Sequence, residues 1–339
     1  MLSARLCSLL SLTHLHIDGL SSSIILPLDL GSLHNLRSLS LTGGIWLCLP
    51  HSLTRLAPCL QSLKLHYSGH KDADAFRRKL PSFLTSLTSL TNLHLRNMYL
   101  PSPPPAFARL RALRTLRIEY NTTFRSHVSF PEDLGQLAAL EWLELKCCST
   151  RAGLPQSLCD LGSLRRLYLG SKTLSHLPTA ISRLSRLEEL TIHWCHSLTT
   201  LPRGFGQLGA LRKLTIGGAS RDYLPDNLSS LSALRVACFS FCKQLHSLPP
   251  TLGLLPRLEV LQLRECVALK PLPKSLREAR ALRHVDVYGS GVAEEGMEVD
   301  VCASKVHVVR GRMEGDEYVG TKDRRRKGRR CRGENLGMP

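Results

Sequence analysis

His193, Cys195 and His196, in the run HWCH, are residue types that ligate transition metals, and Cys238 and Cys242 place two thiols four positions apart. A zinc site needs three or four such groups converging on one point. Cys195, however, occupies the ninth position of a repeating unit, where a side chain points inward while its neighbours flank a turn in different directions. Cys238 and Cys242 fall on an extended strand and the turn after it, not on one helical face. No metal site is expected. No serine or cysteine is paired with a base at the spacing of a nucleophile motif, and no GxxxxGK[ST] phosphate loop occurs, so the sequence predicts no catalytic residue, no cofactor and no enzyme.

The remaining charged chemistry is basic. Forty-five Lys and Arg against 27 Asp and Glu give a net charge of +18, which favours acidic partners. The run KDRRRKGRRCR at 322–332 concentrates it, with Arg324, Arg325, Arg326, Lys327, Arg329 and Arg330 at its centre. Such a run suits nuclear import or a phosphate contact, and equally a solubilising end. No aromatic residues interleave it to stack on bases, so nucleic acid is a disfavoured partner. The twelve cysteines form neither a compact disulfide framework nor paired CxxC ligands and are expected as reduced thiols. A disulfide between Cys242 and Cys266, on adjacent units, is disfavoured. The sequons at Asn121 and Asn227 would matter only in a secreted protein, and Asn121 points inward.

What positions these residues is a repeat. The pattern LxxLxL, with Ile, Val, Ala or Phe at some of its leucines, begins at Leu12, Leu36, Leu60, Leu90, Leu113, Leu140, Leu164, Leu187, Leu211, Leu234, Leu258 and Leu282. The intervals run from 23 to 30 residues, the spacing of leucine-rich repeats but for the single 30. LxL alternates at period two and predicts a strand with one buried face. The LPxxLxxL half, as in Leu174–Leu184, sets leucines three apart on one face of a short helix with proline at its first position. One such unit cannot bury its own leucines, but a stack of them can. The predicted fold is an α/β leucine-rich-repeat solenoid: a curved horseshoe with a parallel sheet on its concave face and short helices and turns on its convex face.

The variable positions of LxxLxL then line the concave wall. The first of them reads Glu141, Arg165, Glu188, Arg212, Arg235, Glu259, Arg283, and the alternating signs predict lateral ion pairs between neighbouring strands. Arg114, Arg117, Trp142, Arg166, Tyr168, Lys213 and Arg235 stand out from that ladder as partner-binding candidates, being unbalanced cations and aromatics of the kind that dominate interfaces. The ninth position is Asn121, Cys148, Cys195, Cys242 and Cys266 in five copies, where a small polar or thiol group can satisfy backbone atoms that the strand leaves unpaired. Longer third and fifth units predict surface loops within HYSGHKDADAFRRKL and EYNTTFRSHVSF, and Pro101–Pro105 predicts an extended outer segment.

Written as LxxLxLxxCxxLxxLPxxLGxLxx, the unit resembles the repeat domain of plant intracellular nucleotide-binding, leucine-rich-repeat disease-resistance proteins over about residues 2–288. The resemblance is best in WLELKCCSTRAGLPQSLCDLGSL, ELTIHWCHSLTTLPRGFGQLGAL and VLQLRECVALKPLPKSL. The LxGxIP form typical of plant cell-surface receptors is absent. The resemblance implies a non-catalytic module of plant immune signalling that binds a protein partner on its concave face or restrains an adjoining signalling or nucleotide-binding domain, in the cytoplasm with the nucleus as a second location. A free-standing scaffold of small-GTPase-associated signalling shares the LPxxLxxL half and is the alternative.

Two domains are expected: repeats over 1–288 and a basic, disordered tail over 289–339. The opening MLSARLCSLLSL reads as repeat, not leader, since residues 6–17 align without a gap on 30–41. No capping segment precedes Leu6, so the chain is expected to be a fragment, a truncated gene product or a protein that packs its first repeat on a partner. No apolar run approaches the roughly 18–20 residues that span a bilayer.

Overall fold

A computed structural model describes residues 4–20, 26–43, 49–68, 80, 82–98, 107–120, 132–146, 153–198, 200–218, 224, 226–270, 272–294 and 306–309. Each LxxLxL segment forms a strand: β1 (His14–Leu20), β2 (Ser38–Gly43), β3 (Ser62–Tyr67), β4 (Asn92–Arg96), β5 (Thr115–Glu119), β6 (Trp142–Lys146), β7 (Arg166–Gly170), β8 (Glu189–His193), β9 (Lys213–Gly217), β10 (Val236–Ser240), β11 (Val260–Gln262) and β12 (His284–Asp286). After the last repeat come a four-residue helix, α1 (Gly291–Glu294), and a further strand, β13 (His307–Val309). The thirteen strands form one parallel sheet in strict chain order. This is the leucine-rich-repeat solenoid that the periodicity predicts. Most of the third-unit and fifth-unit insertions (69–79 and 121–130), Pro101–Pro105 and the basic run 322–332 lie outside the described residues.

Register explains why the repeat is tolerant of chain-length variation but not of its leucines. Leu116, Leu143, Leu167, Leu190, Leu214, Ala237, Leu261 and Val285 stand side by side across the sheet. All are essentially inaccessible to water. Each such leucine contributes roughly 1.5–3 kcal/mol by leaving water. Behind them, the LxxLxxL half packs a second layer, for example Leu158, Leu161 and Leu164, also fully buried.

That second layer gives the expected short helices their type and corrects the expected place of proline. The short helices of the repeats, such as Gln156–Asp160, Arg203–Gln207 and Lys274–Glu278, are 3-10 helices. A 3-10 helix has three residues per turn, so leucines three apart eclipse one another and share one face. The repeat spacing matches that period better than the 3.6 of an α-helix. Pro50, Pro155, Pro202 and Pro273 sit one position before the helix, at its N-cap, in extended backbone. The ring's fixed φ suits that conformation as well as it suits a first helical residue.

Among the described residues the eighth position is left-handed in seven of the repeats. Asn97, Trp194, Phe241 and Glu265 there all have φ between 55° and 59°, and Gly19, Gly218 and Gly289 occupy the same position with φ between 64° and 71°. This left-handed residue turns the chain so that the ninth side chain enters the core.

Candidate functional site

On the sheet face turned away from the leucine core, the outward positions of β5 to β9 carry Thr115 and Arg117, Trp142 and Glu144, Arg166 and Tyr168, Glu189 and Thr191, then Lys213 and Thr215. Parallel pairing in register sets equivalent side chains about 4.8 Å apart, so these residues form one continuous surface. Its centre is Trp142. The guanidinium carbons of Arg117 and Arg166, from the strands on either side, lie 4.8 and 5.5 Å from the indole ring centre. Each contact is a cation–π interaction of roughly 0.5–1 kcal/mol at an exposed site. Arg117 is fixed further by donating from Nε to Glu144 Oε2 at 2.7 Å, and Glu144 is buried beneath it.

The expected lateral ladder is present. Arg114 reaches Glu141 at 2.5 Å and Arg235 reaches Glu259 at 3.0 Å; Arg165 bonds Glu188, which also faces Arg212 at 4.0 Å. Four of the arginines singled out in the sequence as unbalanced therefore have carboxylates on the next strand: Arg114, Arg117, Arg166 (4.0 Å from Glu189) and Arg235. The reason is the repeat itself, which brings residues 23 to 27 apart in sequence into lateral contact. Lys213 makes no ion pair among the described residues, and Arg212 shares its one carboxylate with Arg165. The surplus of positive charge on this face lies at Arg212 and Lys213, neighbours at the start of β9.

The aromatic surface extends further than the sequence suggested. Tyr168 stacks on His193 with ring centres 6.2 Å apart, and Trp194 meets both His193 and His196 edge-on at 6.3 and 6.0 Å. Trp194 is half exposed and lies over Gly218, where a Cβ would come within 3.1 Å of its ring. Sequence reading missed it because the eighth position carries no constant residue type. Its companions in HWCH part ways as expected: His193 joins the aromatic row, while Cys195 is fully buried and accepts the Ser171 backbone N–H at 3.5 Å.

The ninth-position thiols bind backbone. Cys242 donates to the Ile216 carbonyl at 3.4 Å and Cys266 to the Phe239 carbonyl at 2.7 Å, each one repeat back. The contact with the Cys242 thiol, then burial, raise the pKa of Cys266, and burial pushes Cys159 up to about 11. Thiols so held are poor nucleophiles. Asn121 and Cys148, assigned the same place in the repeat, lie outside the described residues, as do Arg324, Arg325, Arg326, Lys327, Arg329 and Arg330.

At the other end of the surface, His94 on β4 has its Nε2 buried with no hydrogen-bond partner among the described residues. Burial, then the charges of Arg117 and Lys64 on the flanking strands, lower its pKa from 6.5 to about 4. The unfolded chain therefore takes up a proton near pH 6.5 that the folded chain refuses until about 4, and stability falls as pH drops through that interval. His94→Gln is expected to shallow the fall. The check is the difference in Tm between about pH 7 and about pH 4.5 in the two proteins; equal differences would place the acid sensitivity elsewhere.

A family model described as a leucine-rich repeat region matches residues 108–235. The chain is 30% identical over 165 residues to the TMV resistance protein N of Nicotiana glutinosa, and the match covers 48% of this chain but only 14% of that protein. Among solved structures, PEPR1–AtPEP1 superposes with a TM-score of 0.56 at 22% identity, covering 85% of this chain and 43% of that one. The functional domain of InlJ from Listeria monocytogenes also gives 0.56, at 18% identity over 89% of this chain and 65% of that one. The internalin InlF of the same bacterium gives 0.55 at 16% identity, over 91% and 89% of the two chains. At these identities the structures agree with the chain in fold.

Proposed function

Taking the leucine-rich-repeat solenoid and its aromatic, cationic strand face as premises, we propose that this chain is a non-catalytic protein-recognition module whose partner presents an acidic segment carrying apolar or planar side chains. The observation that carries the reading is Trp142 held by Arg117 and Arg166, on a face whose cation surplus lies at Arg212 and Lys213. A ring whose rotamer is already fixed loses little freedom on binding, and arginine and tryptophan are the side chains most enriched among interface hot spots. The likeness to a plant resistance protein supports a role in immune signalling, as a sensor or as a restraint on an adjoining signalling or nucleotide-binding domain. The described cysteines are all free thiols, which suits the reducing cytoplasm.

The test presents acidic, neutral and basic peptides to the immobilised chain. Acidic peptides with apolar side chains are expected to be retained, with affinity falling as salt rises. Alanine at Trp142, Arg166 or Arg235 is expected to lower that affinity by about tenfold or more for Trp142 and less for the two arginines. Retention of basic peptides, or affinity indifferent to all three substitutions, would remove the strand face from the reading.

A further inference from the structure

The two ends of the sheet are finished differently. At the far end β13 pairs with β12, and Val287, Val292 and Val309 are buried there. At the near end Leu12, Leu15 and Ile17 are only partly buried, whereas their equivalents one repeat on, Leu36, Leu39 and Leu41, are inaccessible. Leu9 and Leu10, leading into β1, are each 50% exposed. Among the described residues nothing pairs with the outer edge of β1.

The backbone of that edge is ordered for pairing. The Thr13 carbonyl accepts the N–H groups of Arg37 and Ser38, so it faces β2. By the alternation of a strand, Leu15 and Ile17 also turn their backbone groups to β2, while His14 and His16 turn theirs to the open edge. Beyond Ile17 a bulge interrupts the ladder, which limits the straight part of the edge to residues 14–18.

We propose that this edge docks a second copy of the same chain, β1 against β1, antiparallel about a two-fold axis at His16. In that register Leu15 of one copy meets the partner's Ile17 on the core side, continuing the apolar layer that the single chain leaves half covered. On the opposite face His14 meets the partner's Asp18, and the reciprocal pair repeats it. Asp18 holds the Gly19 N–H with Oδ1 at 2.9 Å, leaving Oδ2 for the imidazole. His14 contacts Thr13 through Nδ1 at 2.9 Å, leaving Nε2 to reach outward. An isologous contact must be self-complementary, and the stretch HLHID is so in both its apolar and its polar halves. The edge lies four strands before β5, so this inference stands apart from the peptide-binding face.

Sedimentation velocity of the 339-residue chain tests it. The wild type is expected to pass from monomer to twice that mass as concentration rises. His16→Pro removes an outward N–H that the chain's own sheet does not use, a substitution edge strands tolerate, and is expected to hold the protein monomeric with unchanged circular dichroism. Asp18→Arg, which sets a cation against the partner's His14, is expected to do the same without touching the backbone. Adding His14→Glu to Asp18→Arg gives that cation a carboxylate partner across the axis and is expected to restore the doubled mass. A wild type that stays monomeric at every concentration would overturn the proposal, as would a dimer indifferent to both His16→Pro and Asp18→Arg, or a double variant that fails to recover.

Discussion

Replacing Leu190 by aspartate is expected to melt the centre of the solenoid. Leu190 is fully buried, with Leu167 on one side and Leu214 on the other, both equally buried. The substitution forfeits roughly 1.5–3 kcal/mol of burial. It also sets a carboxylate where no cation can follow, at a further cost of several kcal/mol unless the group takes up a proton. Together these approach the whole stability of an ordinary domain, about 5–15 kcal/mol. Because each repeat leans only on its neighbours, the damage should spread by repeats and stop short of the ends. The expected result is a partial loss of far-ultraviolet circular dichroism and fast proteolytic cutting within 164–214, with the β2–β4 amides still protected from hydrogen exchange. The same protection across β7–β9 as in the wild type would show that the core is less continuous than its geometry implies.

The second large effect concerns two glycines in identical tetrapeptides. LGSL occurs at Leu30–Leu33 and again at Leu161–Leu164. A Cβ on Gly31 would stand 1.8 Å from the carbonyl oxygen of Ser52 and 2.4 Å from its carbon, both backbone atoms of the next repeat. The Gly31 N–H also donates to Ser52 Oγ at 3.2 Å, so the two 3-10 segments touch edge to edge there. Gly31→Ala can be accommodated only if the repeats part, and the expected loss is about 3 kcal/mol, the upper end for overpacking. A Cβ on Gly162 meets nothing within 4 Å. Gly162→Ala is expected to be neutral or to stabilise by up to about 1 kcal/mol through the unfolded chain. Urea titration of the pair is decisive: equal shifts in midpoint would mean that the close approach at Ser52 is relieved by movement of the chain.

The tetrapeptides also show what the sequence could and could not disclose. Leucine spacing dictated the strands, their parallel register and the buried rows, because those follow from period and from burial alone. Repeat position separates the two glycines, since Gly31 and its equivalents Gly135, Gly206 and Gly253 all approach the next repeat's backbone and Gly162 and Gly209 do not. How close that approach is emerges only in the structure. The carboxylates beside the arginines lie within reach of the strand register: Arg117 and Glu144 hold the same repeat position on adjacent strands and are bonded, a lateral pairing that the sequence reading makes at the first variable position but not at this one. Trp194 is passed over in HWCH, where His193, Cys195 and His196 stand out as ligand types. Its left-handed backbone, which throws the ring outward over Gly218, has no residue signature beyond the scattered glycines at that position. Nor does the repeat pattern foretell β13, whose segment His307–Val309 lacks LxxLxL and pairs by virtue of lying next to β12.

The strict chain order of the strands bears on how such a molecule changes over generations. Duplicating or deleting one segment of about 24 residues alters two junctions and leaves every other coil with the neighbours it had. Lineages can thus lengthen or shorten the sheet in whole increments, while substitutions at the outward positions change the chemistry of its exposed face. Length and surface character become separate targets for selection.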